Sequence, residues 1–206
     1  MFTRLLPARW LAAPLLCVAQ LASAQCLVMV HGDSLSAAYG LKREDGWVKL
    51  LEARLGSEKP ACKVHNSSIS GETTAGGASR LPALLDQHKP SHVVLELGGN
   101  DGLRGLDPQA MQANLMRMGQ QVKQRGAQLI VVGIRIPPNY GRAYQLRFDS
   151  AFQQVAKELN APLVGSLLEG IEADRSAFQP DGIHPTAAVQ TQLLDNVWPA
   201  LKKTLK

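Results

Sequence analysis

The sequence has no Gly-x-Ser-x-Gly pentapeptide, no dense block of Lys and Arg, and no unbroken apolar run of the ~20 residues needed to cross a bilayer. The first absence removes the nucleophile elbow of the common α/β-hydrolases. The second leaves nucleic acid without an electrostatic handle, because a formal charge of +5 spread over 206 residues makes a solvated, mixed-charge surface. The third argues against a spanning helix. Repeats, linkers and low-complexity stretches are lacking too, which points to one folded domain. Histidine is scarce, 5 in all, and no four ligands stand at zinc-like spacing. His31 with Asp33 is the nearest start of such a set.

What is present at the N-terminus is a tripartite leader. Arg4 and Arg9 supply a basic region, Trp10 to Leu21 a short apolar one, and Ala22-Ser23-Ala24 a small-x-small cleavage pattern. Cleavage would make Gln25 the first mature residue and divide the chain into a signal peptide, 1–24, and a domain, 25–206. An uncleaved anchor and a lipoprotein site at Cys17 are the alternatives, although Leu16 is bulky for the latter. Cleavage implies a periplasmic or secreted protein with no membrane anchor. The mature chain keeps 20 basic and 17 acidic side chains, and two of the 3 cysteines, Cys26 and Cys62. An oxidising compartment makes these a disulfide candidate if the strands that follow them are neighbours; two free thiols are equally open.

Apolar runs then alternate with amphipathic stretches. Short apolar runs at Leu27 to His31, Cys62 to Asn66, His92 to Leu97, Leu129 to Val132 and Pro162 to Val164 read as strands. Between and after them, helical spacing marks Trp47 to Leu55, stopped by Gly56, then a helix ending near Lys89-Pro90, and Ala110 to Arg125. Phe148 to Leu159 and a closing helix around Leu193 to Val197 complete the set. This alternation predicts a five-stranded parallel sheet covered on both faces, doubly wound in flavodoxin-like order. Ligands of such sheets bind beyond the carboxyl ends of the strands, where strand order reverses.

Chemistry-bearing residues sit at those ends. Ser34 follows the first strand beside Gly32, on a turn into an expected helix, where its N–H would be free to meet an oxyanion; its ordinary alternative is a helix cap. Gly71 follows the second strand, and a glycine there leaves its N–H uncovered, unless it is a plain turn residue. Asn100 follows Gly98-Gly99 off the third strand, and its amide can donate to developing negative charge or simply make a turn. Asp181 and His184, three apart and expected on one helical turn, can pair so that one ring nitrogen is held and the other left as a base. The alternative for that pair is a surface ion pair. Each signal alone is weak, but together they supply a nucleophile, a base, an orienting carboxylate and oxyanion donors in one crevice.

Gly32-Asp33-Ser34-Leu35, Gly71, Gly99-Asn100-Asp101 and Asp181-Gly182-Ile183-His184 resemble, in order, the four blocks of the SGNH (GDSL) hydrolase family. The match covers nearly the whole mature chain. The runs Ser68 to Gly71, Glu96 to Gly105 and Pro138 to Arg142 are similar to the bacterial subgroup of periplasmic acyl thioesterases, lysophospholipases and arylesterases. The resemblance implies a three-layer α/β/α sandwich and ester or thioester hydrolysis through an acyl-enzyme. It implies Ser34 as nucleophile, His184 as base, Asp181 as its orienting partner, and an oxyanion hole from Ser34, Gly71 and Asn100. It implies no metal or organic cofactor.

Two loops are expected to wall the acyl pocket, with Leu103, Leu106, Ile136, Pro137, Pro138 and Tyr140 offering apolar surface; ordinary loop packing is the alternative for each. Expected partners are small acyl, aryl or lysophospholipid esters and thioesters, handled by a monomer, with no nucleic acid. A carbohydrate acetylesterase on the same fold, a non-catalytic binding protein and a metal-dependent hydrolase are the competing functions.

Overall fold

A computed structural model describes residues 26–205; the expected leader and Gln25 lie outside the described residues. Five strands form one parallel sheet: β1 (Leu27–Gly32), β2 (Lys63–Asn66), β3 (His92–Glu96), β4 (Gln128–Val132) and β5 (Leu163–Val164). Their order is β2-β1-β3-β4-β5, the doubly wound order expected. The helices are α1 (Trp47–Glu58), α2 (Thr74–His88), α3 (Gly99–Leu103), α4 (Pro108–Gln124), α5 (Arg142–Glu158) and α6 (Gln190–Lys202). Helices α1 and α6 pack together on one side of the sheet, and α2, α4 and α5 on the other. With both faces covered, the central strands have no solvent side. Val28, Met29 and Val30 are therefore fully buried, and all of β3 is buried, which is why Val28–Val30 and Val93–Leu95 read as apolar runs.

Local chemistry sets the helix ends. Thr73 caps α2 by accepting from the N–H of Gly76, and Lys89 stops it in a left-handed conformation just before Pro90. Asp107 caps α4, with Pro108 in the first turn. One expected boundary moves: α1 runs through Gly56 to Glu58. A side chain at Gly56 would meet nothing, so this glycine costs only its propensity, about 1 kcal/mol. Burial of Leu51 and Leu55 on the inward face outweighs that.

The chain leaves β1 toward β2 on one side and returns past it to β3 on the other. Their carboxyl ends therefore open a crevice, with Gly32 opposite Glu96. At the other end of the sheet, Leu27 stands opposite Lys63, which puts Cys26 beside Cys62 with Cα atoms 4.4 Å apart in a disulfide. The bond closes a loop with a sequence separation of 36. Cys62→Ser should lower the unfolding free energy by about 2–4 kcal/mol, read as a lower urea midpoint. An unchanged midpoint would mean that the pair adds nothing to the fold.

Candidate active site

Gly32 is the hinge on which the site turns. A Cβ there would lie 2.5 Å from Glu96 Oε2 and 2.8 Å from Ser36 Oγ, so glycine leaves the room in which the Glu96 carboxylate meets the serine turn. The chain then makes an isolated helical turn, with Ala37 N–H donating to Asp33 O (3.0 Å) and Tyr39 N–H to Ser34 O (3.1 Å). The helix expected to begin at Ser34 does not form. Ala38 (φ 60°) and Gly40 (φ 73°) are left-handed and end the winding. Ser34 sits on this turn, almost wholly buried.

His184 arrives from the opposite end of the chain. Its Nδ1 lies 2.6 Å from Asp181 Oδ2 and its Nε2 lies 2.9 Å from Ser34 Oγ. With the proton on Nδ1 donated to Asp181, Nε2 is left to accept from the serine hydroxyl. Asp181 and His184 do not share the helical turn that their spacing suggested. Asp181 Oδ1 instead accepts from the N–H groups of Ile183 (2.9 Å) and His184 (3.0 Å), a side-chain-closed turn completed by Gly182 at φ 68°. Desolvation pushes the Asp181 carboxyl up, but these two N–H donors and the imidazole outweigh it and hold its pKa down at about 2.

The three candidate oxyanion donors surround the same turn. Among the described residues, neither Ser34 N–H nor Gly71 N–H has a hydrogen-bond acceptor. Gly71 is left-handed (φ 79°) and its missing side chain would have met only Arg104, so conformation and not space selects glycine. Arg104 donates to Gly71 O at 2.9 Å. Ile69 N–H donates to Gly32 O at 3.1 Å, which ties the Gly71 loop to the end of β1. Asn100, in the first turn of α3, donates through Nδ2 to Asp33 Oδ2 at 3.0 Å.

A buried polar network beneath these donors was not read from the sequence. Glu96 Oε2 accepts from Ser36 Oγ (2.6 Å) and from Asp33 N–H (3.3 Å). Burial, then the neighbouring Asp33, pushes the Glu96 carboxyl well up. Burial raises Asp33 to about 6 against the hydrogen bonds from Leu35 N–H and Asn100. Asp101 accepts from Thr74 N–H (2.8 Å) and Thr74 Oγ1 (2.5 Å), latching the start of α2 to α3. The sequence did hold one signal: Glu96 is a lone carboxylate directly after the apolar run Val93–Leu95.

Other candidates are placed less favourably. His31 spends Nδ1 on Ser67 Oγ (3.0 Å) and Nε2 on Gly77 O (3.1 Å), so the nearest metal-ligand candidate is committed to the protein. Burial, helped by Arg80, depresses its pKa to about 4. Among the described residues no cluster of three His, Cys, Asp or Glu side chains could hold a metal ion. Of the expected pocket residues, Leu106 is exposed and Leu103 half-buried. Tyr140 donates its hydroxyl to Leu103 O (2.8 Å) and Tyr144 to Leu106 O (2.7 Å), which joins the two loops. Ile136 corrects the expectation: it is buried, filling the space left by Gly102, and faces the core. Pro138 opens a single 3-10 turn that ends at Tyr140.

Residues 30–191 match the GDSL-like lipase/acylhydrolase family. The chain is 49% identical over 191 residues to esterase TesA of Pseudomonas aeruginosa, covering 93% of this chain and 94% of that one. It is 41% identical over 174 residues to thioesterase 1/protease 1/lysophospholipase L1 of Escherichia coli (84% and 82% covered). It is 38% identical over 189 residues to an arylesterase of Vibrio mimicus (92% and 94%). A crystal structure of TesA superposes with a TM-score of 0.84 at 50% identity, covering 88% of this chain and 100% of that one. On this sequence match and this shared architecture, the chain belongs to the GDSL-like lipase/acylhydrolase family, the SGNH hydrolases.

Proposed function

We propose that this chain is an exported serine ester hydrolase whose nucleophile is Ser34, with His184 as general base and Asp181 as its orienting partner. The observation that carries the reading is the unbroken hydrogen-bonded chain from Asp181 through His184 to Ser34. A serine hydroxyl is hardly ionised at neutral pH, so it needs an imidazole already in place to take its proton. The N–H groups of Ser34 and Gly71 and the amide of Asn100 receive the oxyanion.

The reaction runs in two halves. Ser34 Oγ attacks the acyl carbonyl as its proton passes to His184 Nε2. The tetrahedral intermediate collapses, the imidazolium gives that proton to the departing alcohol or thiol, and an acyl-Ser34 ester remains. Water, deprotonated by the same imidazole, then releases the acid and regenerates Ser34. Side chains, backbone N–H groups and water carry every step. Small acyl and aryl esters and thioesters are the substrates, as the names of the esterase, thioesterase and arylesterase relatives suggest. Leu103, Leu106 and Tyr140 offer the acyl or aryl chain its apolar contact, in a monomer. The leader, 1–24, directs the chain to the periplasm or beyond.

Ser34→Ala should abolish hydrolysis of p-nitrophenyl esters and labelling by a fluorophosphonate while leaving circular dichroism unchanged; retained turnover would move the nucleophile elsewhere. Asn100→Ala should lower kcat by on the order of 10²–10³, with ester binding little altered. Three buried or bonded carboxyls set how the site responds to acid. Asp181 is the one whose pKa is depressed. Its depressed pKa means that the stability it contributes is present above its unfolded value and lost only as pH falls through about 2. Asp33, raised to about 6, and Glu96 are relieved by protonation, so moderate acid favours the folded state at this cluster. Circular dichroism should therefore persist as pH falls from neutral to about 6; loss of the signal in that range would overturn this account of the cluster.

A further inference from the structure

Tyr39 stands out among the aromatic residues. It is 51% exposed. Its hydroxyl has no hydrogen-bond partner among the described residues, whereas those of Tyr140 and Tyr144 each donate to a carbonyl. Its ring centroid lies 4.4 Å from that of His184, with the planes 36° apart. An exposed ring with an idle hydroxyl contributes little to folding in return for its ordering. What it does is cover one side of the imidazole.

The backbone is bent to put it there. Ala38, just before it, holds a left-handed conformation at φ 60°, which is unfavourable for a residue with a side chain. Gly40, just after it, is left-handed at φ 73°, and a Cβ at that position would collide with Gln179 Oε1. Gln179 is the clamp. Its Nε2 donates to Tyr39 O (2.9 Å) and to Pro185 O (3.1 Å), and its backbone N–H donates to His184 O (2.7 Å). One half-buried amide thus fastens the turn that carries Ser34 to the turn that carries His184. The antiparallel bridge between Phe178 and Pro185 closes the base of the second turn.

We infer that Tyr39, held by Gln179, is a positioning residue that stabilises the His184 imidazolium as Ser34 attacks. This rests on the Ser34–His184 reading above. The imidazole is neutral before attack and positive in the transition state, while Asp181 is an anion throughout. A π face within roughly 6 Å of the ring favours the cation selectively, so its effect falls on the rate and not on substrate binding. The ring also sheds water from that face, which strengthens the attraction between imidazolium and Asp181. The groups facing the imidazole are Asp181, Ser34, the buried Asp33 and Tyr39 itself. Tyr39 alone among them interacts through a ring face.

The test uses the mature enzyme with p-nitrophenyl butyrate, comparing Tyr39→Phe, Tyr39→Leu and Gln179→Ala, with Ser34→Ala as the reference. Tyr39→Phe keeps the ring and should keep kcat within about twofold. Tyr39→Leu keeps comparable bulk without a π face and should lower kcat by roughly 5–30-fold, with KM and melting temperature unchanged. Fluorophosphonate labelling of Ser34 should slow in parallel, since it passes through the same imidazolium. Gln179→Ala should lower kcat in the same direction, and adding Tyr39→Leu to it should cost less than the product of the two single effects. Equal rates for Tyr39→Phe and Tyr39→Leu would overturn the inference. So would a change confined to KM, which would make Tyr39 a substrate contact, or a rate loss matched by a lower melting temperature. Failure of the underlying reading looks different: Ser34→Ala would then remain active whatever happens at Tyr39.

Discussion

The site depends on the Glu96 carboxylate fitting against a glycine where β1 and β3 end side by side. Gly32 stands opposite Glu96, and any side chain at 32 would strike that carboxylate. The hydrogen bond from Asn100 to Asp33 then fixes the serine turn relative to the start of α3. The same strand end accepts Ile69 N–H and thereby draws in the loop that carries Gly71. Three separate stretches of chain are referenced to one strand end. This is how a site built on loops acquires the sub-ångström placement that hydrogen-bond catalysis demands.

That placement has a cost. Two carboxyl groups, Asp33 and Glu96, lie buried close together beneath the proposed nucleophile; burial pushes both toward the neutral form, and Asp33 pushes Glu96 further. An apolar pair would be cheaper to bury. The hydrogen bonds to Ser36, Leu35 and Asn100 recover part of the cost as rigidity. Ala38 in its left-handed conformation is a second local expense at the same turn. Both are paid where the chemistry is proposed, the expected location of strain that a stable fold tolerates.

The two edges of the sheet divide the labour. The disulfide joins β1 to β2 at the amino edge, where strand register alone brings the cysteines together. The carboxyl edge carries the polar side chains of the candidate site, left-handed Ala38, Gly40, Gly71 and Gly182, and the exposed Tyr39, Ile69, Leu106 and Ile183. A covalently tied base supports loops that can differ among relatives without disturbing the core. This accords with one architecture serving proteins named esterase, thioesterase and arylesterase.

Strand runs, helical spacing and the order of elements are local properties, and the sequence carried them: five strands, their parallel pairing and their doubly wound order follow from apolar runs alternating with amphipathic ones. The residue types at the strand ends were equally legible, since Ser34, Gly71, Asn100, Asp181 and His184 stand where turn chemistry and acyl transfer both want them. What the linear pattern could not specify was direction. It suggested a helix after Ser34 where left-handed Ala38 and Gly40 stop the winding, and a helical turn at Asp181 where an aspartate-closed turn forms. It offered Ile136 to a ligand, although packing into the space left by Gly102 turns it to the core. Glu96, Tyr39 and Gln179 passed as ordinary residues. Their roles exist only across 60 or more positions of chain, as between Ser36 and Glu96 or between Tyr39 and Gln179. Periodicity records which face of an element is buried; a hydrogen bond between distant side chains is decided only when packing has fixed where each one points.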